Sequence, residues 1–571
     1  MKEEIKKLIK NALKNLNLSQ IEFTIEHPTD FSHGDYAVNV AIVGAKEAGK
    51  NPQELASDIK AELENNLPET IEKVEIAGPG FLNFFLSKKF FENALKRVVN
   101  EENEYGKNTR LKDQKIIFEY TDLNPFKSFH IGHLMPNAIG EALARLAEAN
   151  GAEVKRANYQ GDIGLHVAKA IWGMKQNLSA LPKDDDSLTE KVDFLGSSYS
   201  FGASQYEKDE EAKNEIVEIN KKLFAKSDNE LNELYKKGKE WSLQSFEILY
   251  RVLGTTFDYY LFESETADIG KKIVEEGLEK GIFEKSEEAI VYKGEKKGLH
   301  TRVFLTSEGL PTYEAKDLGL ARMKDDKFDY DKSVIITANE QKEYFKVVFA
   351  AMEEMMPEIR EKTEHITFGL LQLSSGKMSS RLGNVITASS LIADVVKKVK
   401  EKMSGRDFDE DFKDLVALAV TVGAIKYSIL KQTPGKNIVF DFEKSISFEG
   451  DSGPYLQYTH TRALSVLEKA KGLSLVDLNV KQPSDWQVTN LEKILYQMPE
   501  VIKDSFEDRG PQKLVKYLIE VSAEFNSFYG NQKIVDENDE HSAYRVVITH
   551  AVATIIKNGL YILGIPVPSK M

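Results

Sequence analysis

The chain has 571 residues, is 41% hydrophobic and 29% charged, and carries a formal net charge of −15; this is the composition of a soluble globular protein long enough for several cores, since a single core stops growing at roughly 250–300 residues. It contains no cysteine, which excludes disulfides, thiolate-held zinc and thiol nucleophiles. No apolar run reaches the ~18 residues of a membrane span and no leader with an apolar core is present, so a cytoplasmic protein without a membrane partner is expected.

In chain order, Ile5, Leu8, Ile9, Leu13 and Leu16 recur at helical spacing and predict an amphipathic first helix. Phe31 to Ala37, F-S-H-G-D-Y-A, reads as a loop leading into apolar Val38, Val40 and Ile42, and Ala77 to Phe84, A-G-P-G-F-L-N-F, as a turn followed by strand alternation. Residues 1–105 therefore predict a small α+β domain. The lysines of Lys2 to Lys14, like those of Lys397 to Lys402, read as solvated helix faces. The acidic total does not suggest a nucleic-acid partner, although RNA binding needs only a local basic surface.

After Tyr105-Gly106 the strand-length run Ile116-Ile117-Phe118 enters a polar loop, Glu119 to Leu134, E-Y-T-D-L-N-P-F-K-S-F-H-I-G-H-L. Ile139, Leu143, Leu146 and Ala147 then share one face of a helix. Strand, loop and helix in this order make a phosphate site at the carboxyl end of a strand. His130 and His133 fall on the opening turn, and Gly132, without a Cβ, lets a base or phosphate approach the backbone. By itself H-x-G-H is as often a hydrogen-bonded helix start.

A second strand near Val154 runs into Asn158 to Gly164, N-Y-Q-G-D-I-G. The charged stretch from about 179 to 240, continuing to about 260, predicts an insertion of surface helices too short for an editing domain. The second half offers Val303-Phe304-Leu305, the Pro311-Thr312-Tyr313 turn, a buried strand at Val334-Ile335-Ile336, and a helix carrying Phe345, Val348 and Met352. The apolar run Ile366 to Leu373 leads into Ser374 to Asn384, S-S-G-K-M-S-S-R-L-G-N, a glycine-flanked basic loop. Two βα halves around an insertion predict a Rossmann-like parallel sheet over 106–407 with its site at the switch point. From about Phe408 an all-helical bundle is expected, with Leu415, Leu418, Ala419 and Val422 on one helix, Leu491, Ile494, Leu495 and Met498 on a second, and Leu514, Tyr517, Leu518 and Val521 on a third.

The F-H-I-G-H-L turn and the K-M-S-S-R loop together resemble the HIGH and KMSKS signatures of class I aminoacyl-tRNA synthetases. N-Y-x-G-D-x-G at Asn158, Thr312-Tyr313 with Asp317, Gln341, Gly423 to Tyr427 (G-A-I-K-Y), Pro454 to Tyr458 (P-Y-L-Q-Y) through Arg462, and the closing Leu563-Gly564-Ile565 resemble the arginyl-tRNA synthetases. The likeness runs from about Phe31 to the last residue. It implies an α/β catalytic domain flanked by an N-terminal domain that contacts the tRNA elbow and a helical anticodon-binding domain over 408–571. It implies ligation of arginine to tRNA through arginyl-AMP, with ATP and Mg2+ but no zinc, activation that needs bound tRNA, and a monomer.

By the same resemblance His130 and His133 hold ATP together with Phe129 and Gly132, and Lys377, Met378, Ser379, Ser380 and Arg381 close over the departing pyrophosphate. Ser380 stands where the signature's second lysine belongs; Lys127, just before HIGH, is the compensating phosphate contact and is favoured over Lys377. Tyr313 and Asp317 would recognise the guanidinium, whose planar donors call for paired acceptors. Asn124 and Gln341 would hold the α-amino and carboxylate ends, with Glu119 and Asp122 lining the pocket. The family usually has a small polar residue at the place of Asp122 and a histidine at that of Tyr344, which leaves the role of Tyr344 open. Asp162 reads as structural or tRNA-proximal. Tyr455, Tyr458, His460, Arg462 and Tyr529 would stack on bases or pair with phosphates if exposed.

Three other readings share these features: a class I synthetase for another amino acid, a non-catalytic tRNA-binding relative, and a small-molecule adenylyltransferase. Asp317 beside Tyr313 speaks against the first, the joint presence of Lys127, His130, His133 and the K-M-S-S loop against the second, and the helical domain against the third.

Overall fold

The computed structural model describes residues 1–373, 387–403, 409–473, 475 and 480–571. By packing the chain forms two compact units, one of Met1–Tyr105 with Thr459–Glu500 and Leu518–Asn558, the other of Gly106–Tyr458 with Val501–Tyr517 and Gly559–Met571.

In the first unit the amphipathic helix Lys2–Asn15 buries Ile5, Ile9, Ala12 and Leu13. Its partner is a four-stranded antiparallel sheet in the order Ile25–Glu26, Tyr36–Val38, Phe81–Leu86, Ile71–Ala77. Tyr496 joins this core, edge-on to Phe90 at 5.1 Å. Nearby, Glu500 accepts hydrogen bonds from the hydroxyl of fully buried Tyr36 at 2.8 Å and from the Lys2 backbone N–H at 3.2 Å, and meets His27 Nε2 at 3.1 Å. Burial alone would raise its pKa, yet these donors hold it at about 2. The folded value lies below the ordinary 4.5, so the stability Glu500 contributes is complete above pH 4.5 and is lost as the pH falls toward 2. Glu500→Ala is expected to weaken this unit by about 3 kcal/mol at neutral pH, because it strands buried donors. Amide exchange in peptides covering Ile25–Val38 reads the loss, and the gap between variant and wild type should close in acid.

The C-terminal helices form with three differences from expectation. The strand Ile438–Phe440, parallel to Leu371–Leu373, interrupts the region expected to be all-helical. Leu491 and Met498 lie on separate helices, Asn490–Leu495 and Met498–Glu507. Pro499 has no N–H to give the carbonyl of Leu495, so the ladder breaks there. The Glu410–Leu430 helix buries Val416, Ala417 and Val420, while Leu415 is 67% exposed. Every residue from Val420 to Leu430 is buried, and a helix enclosed all round has no polar face to set the phase of its pattern.

The second unit is built on a five-stranded parallel sheet in the order Thr363–Phe368, Lys332–Ala338, Lys115–Glu119, Glu153–Gln160, Tyr259–Phe262. Strand order reverses between Lys115–Glu119 and Lys332–Ala338, and the crevice beyond their carboxyl ends is the switch point at which such sheets bind ligands. The insertion consists of the helices Leu188–Lys208, Glu210–Ala225 and Asn229–Leu253, which share a core with Leu165–Gln176 through Trp172, Ile216, Leu234 and Trp241. Among the described residues no helix is long and apolar enough to cross a membrane.

Candidate active site

The loop that leaves the central strand is held in a strained shape. Thr121, Asp122 and Phe126 have φ of 80°, 51° and 67°, each costing on the order of 1–3 kcal/mol unless its surroundings enforce it. The enforcement comes from four sides. Asn137 Nδ2 donates to Thr121 Oγ1 at 3.1 Å, the Tyr159 N–H to Asp122 Oδ1 at 3.1 Å, the Gly161 N–H to Asn124 Oδ1 at 2.8 Å, and the Phe126 N–H to Ser242 Oγ at 2.9 Å. The insertion helix Asn229–Leu253 thus supports the loop directly, and Gly238 on it makes room for the Phe126 ring, which a Cβ there would meet at 2.1 Å.

His130 caps the short turn Ile131–His133 that opens the Leu134–Ala149 helix. Its Nδ1 accepts the Gly132 N–H at 3.1 Å, so in the neutral ring the proton sits on Nε2 and is free to donate. The His133 ring lies 3.8 Å from that of His130. Burial, aided by the Lys127 charge, lowers the pKa of His130, and burial with His130 alongside brings His133 to about 3. Both are therefore neutral donors and acceptors at physiological pH. The cation of the turn is Lys127, whose pKa is lowered by burial and by Lys169 against the pull of Glu263. Among the described residues its ammonium has neither a hydrogen bond nor an ion pair. Phe129 packs edge-on to His133 at 5.6 Å, and its carbonyl accepts the Ala388 N–H at 2.8 Å, while Thr387 pairs with His130 as an isolated bridge. Lys377, Met378, Ser379, Ser380 and Arg381 lie outside the described residues.

Behind the turn, Glu141 fixes the helix from within: it accepts from Tyr120 Oη at 2.5 Å, Arg145 Nε at 2.6 Å and Arg156 Nε at 3.2 Å. Arg145 reaches on to the carbonyls of Gly254 and Tyr561, both at 2.8 Å. Lys426, from the G-A-I-K-Y run, is buried beside this cluster, and desolvation brings its pKa down to about 7.

The second part of the site is acidic, and three of its five carboxylates are paired with cations. On the Tyr313–Lys327 helix, Lys324 pairs with Glu119 at 2.5 Å and Lys316 with Glu263 at 2.7 Å, while Glu314 takes Arg302 at 2.9 Å. Asp317, on the same helix, has no cation among the described residues; it accepts only the Tyr344 hydroxyl, at 2.6 Å to Oδ2. Burial, reinforced by Glu119 and Glu263 and opposed by Tyr344, pushes it up to about 8. Asp122 is raised as well, by burial and then by Glu119. Glu119 and Asp317 line one small cavity with Lys324. Tyr313 begins the helix, 58% exposed, with the Lys316 ammonium 5.1 Å from its ring centre. Gln341 ends the turn Asn339–Gln341 beyond the neighbouring strand and is exposed.

Asp162 is tied into the structure by Lys239 at 2.7 Å, Tyr235 at 2.6 Å and Ser264 Oγ at 2.7 Å. His460 is buried, which argues against base contact; Tyr529 is 44% exposed, with Arg462 5.0 Å from its ring centre. Sequence reasoning passed over Lys316, Lys324 and Glu263, and left Tyr344 without a role. The first two carried a readable signal, since Tyr313, Lys316, Asp317 and Lys324 recur at helical spacing on a helix that also buries Leu318, Leu320 and Ala321.

The sequence matches three family models: tRNA synthetases class I (R), catalytic domain, over residues 94–442; DALR anticodon binding domain over residues 456–571; and arginyl tRNA synthetase N terminal domain over residues 3–86. The arginine–tRNA ligases of Borreliella burgdorferi and Clostridium perfringens are each 30% identical to it over 100% of this chain, and over 99% and 100% of their own. The solved arginyl-tRNA synthetase of Thermus thermophilus has the same fold, with a TM-score of 0.81 at 24% identity and 100% of both chains covered. With a catalytic-domain match over more than half its length and relatives of this identity from end to end, the chain belongs to the class I arginyl-tRNA synthetase family.

Proposed function

We propose that the chain ligates arginine to tRNA in two steps at the crevice between the His130–His133 turn and Asp317. The arginine carboxylate attacks the α-phosphorus of ATP and pyrophosphate leaves, giving arginyl-AMP. A ribose hydroxyl of the tRNA's terminal adenosine then attacks the activated carbonyl and AMP leaves. Neither step needs a nucleophile from the protein; what the chain supplies is position and preorganised donors.

His130, through Nε2–H, and neutral His133 hydrogen-bond ATP's phosphate or ribose oxygens, with Phe129 and Gly132 shaping the nucleotide's seat. Lys127 meets the charge that grows on the phosphates, joined by Lys377, Met378, Ser379, Ser380 and Arg381 from the K-M-S-S-R loop. Asp317 takes the guanidinium and Tyr313 covers it, Asn124 and Gln341 hold the amino-acid end, and Glu119 and Asp122 complete the wall. Magnesium would come with ATP and be held mainly by its phosphates; Glu119, Glu263 and Glu314 are committed to Lys324, Lys316 and Arg302. Residues 1–105 take the tRNA elbow, 408–571 its anticodon, and the enzyme works as a cytoplasmic monomer.

The observation that supports this reading best is the charge balance: three of the pocket's carboxylates have cations of their own, Asp122 takes a backbone N–H, and Asp317 on the helix of Tyr313 has no cation among the described residues. A buried carboxylate in that state awaits a cation, and a guanidinium's planar donors suit it. The test is pyrophosphate exchange into ATP, with each amino acid in turn, with and without tRNA that accepts arginine. Exchange is expected with arginine and only when the tRNA is present; exchange driven by another amino acid, or by none, overturns the reading.

A further inference from the structure

Asp317 sits over a cavity of about 10 Å³, lined by Glu119, Leu320, Lys324, Phe345 and Met352 among others, room for roughly one water. Packing from that side therefore does not fix the carboxylate. Among the described residues no cation fixes it either, since Lys316, Lys324 and Arg302 serve Glu263, Glu119 and Glu314. One contact remains, the hydroxyl of Tyr344 on the first turn of the Lys342–Met355 helix, 2.6 Å from Oδ2. The Tyr344 ring is itself fixed, with the Arg302 guanidinium 5.1 Å from its centre and Phe345 edge-on at 5.2 Å.

We propose that Tyr344 is a positioning residue for arginine: by donating to Asp317 Oδ2 it holds the carboxylate in the orientation that a guanidinium needs. This rests on Asp317 being the carboxylate that receives the side chain. A planar fork of donors is matched only by a carboxylate whose plane is set, and a hydrogen bond to one oxygen sets it while leaving the other open. The same bond favours the ionised form against burial and against Glu119, Glu263 and Glu314. Asp122, which is raised in its turn, Tyr159 and Tyr313 are further titratable groups that feel Asp317. Tyr344 stays protonated throughout, because burial and Asp317 raise its own pKa well above the ordinary tyrosine value; it is a permanent donor.

The experiment is calorimetric titration of arginine into the full chain across a range of pH, for wild type, Tyr344→Phe, Asp317→Asn and the double variant. Phenylalanine keeps the ring and removes the donor, and thermal unfolding verifies that each variant folds. Tyr344→Phe is expected to weaken arginine binding on the order of tenfold at neutral pH. It should also move the pH at which affinity recovers to the alkaline side, a shift that loss of packing alone would not produce. In the Asp317→Asn background the same change should add nothing. If Asp317→Asn loses arginine and Tyr344→Phe matches wild type in affinity and pH midpoint, the proposal fails while the site reading stands. If Asp317→Asn binds arginine normally, both fail. The unaltered chain gives a separate reading: its affinity should strengthen as the pH rises toward about 8, and a flat profile through that range overturns the proposal as well.

Discussion

Asp317→Asn is expected to lower kcat/KM for arginine by on the order of a hundred- to a thousandfold, the usual cost of truncating one member of a desolvated, hydrogen-bonded charge pair. Asparagine has the same shape and still accepts from Tyr344, so the pocket keeps its walls. What it loses is a carboxylate that has no internal cation among the described residues, and it turns an N–H toward the donors of the proposed guanidinium substrate. Glu119, Glu263 and Glu314 are each bound to a lysine or arginine, and Asp122 is held by the Tyr159 N–H. Stability should move the opposite way. Asp317 holds its proton up to about 8 when folded against an ordinary 3.8, so folding opposes its ionisation and the folded state loses stability as the pH climbs from 3.8 toward 8. At neutral pH the asparagine variant lacks that cost and should melt higher than wild type. Activity lost with a raised Tm would place the defect in the chemistry of the pocket; activity lost with a lowered Tm would sink the assignment.

Lys127→Met is the second large effect. It is expected to cut the rate of arginyl-AMP formation by on the order of 10² to 10³, the cost of removing one donor aimed at charge that develops in a transition state. Lys127 is a desolvated cation next to two neutral imidazoles, so the turn has no other positive charge to offer a phosphate. Arginine binding measured by calorimetry should barely change, because the proposed guanidinium pocket is untouched. A variant whose exchange rate stays near wild type would shift the phosphate load to Lys377 and Arg381.

The sheet and the turn were legible because each announces itself locally. Ile116-Ile117-Phe118 is an apolar run of strand length bounded by polar residues, and the residues from Ile139 to Ala147 repeat with a helix's period. Asp317 was singled out only by the family resemblance that Thr312-Tyr313 helps to carry. The partners were not. Lys324 lies 205 positions from Glu119, and the Tyr344 hydroxyl meets Asp317 across 27; no periodicity reports contacts made between elements. For the same reason the insertion read as surface helices, although Ser242 and Gly238 on it shape the loop ahead of His130. The long helix from Glu410 was found and its face misjudged at Leu415, since a segment buried on every side leaves nothing polar to mark inside from outside.

The bond from Tyr36 to Glu500 joins residues 464 positions apart, and that distance is also a time. A ribosome adding about 5–20 residues per second needs roughly half a minute to a minute and a half between making the donor and making the acceptor. Throughout that interval the edge that Tyr36 will bury stays incomplete, with its hydroxyl and the Phe90 ring waiting for Tyr496 and Glu500. The strands from Ile25 to Leu86 are able to pair early, but the unit they belong to is finished only after the whole parallel sheet has been synthesised.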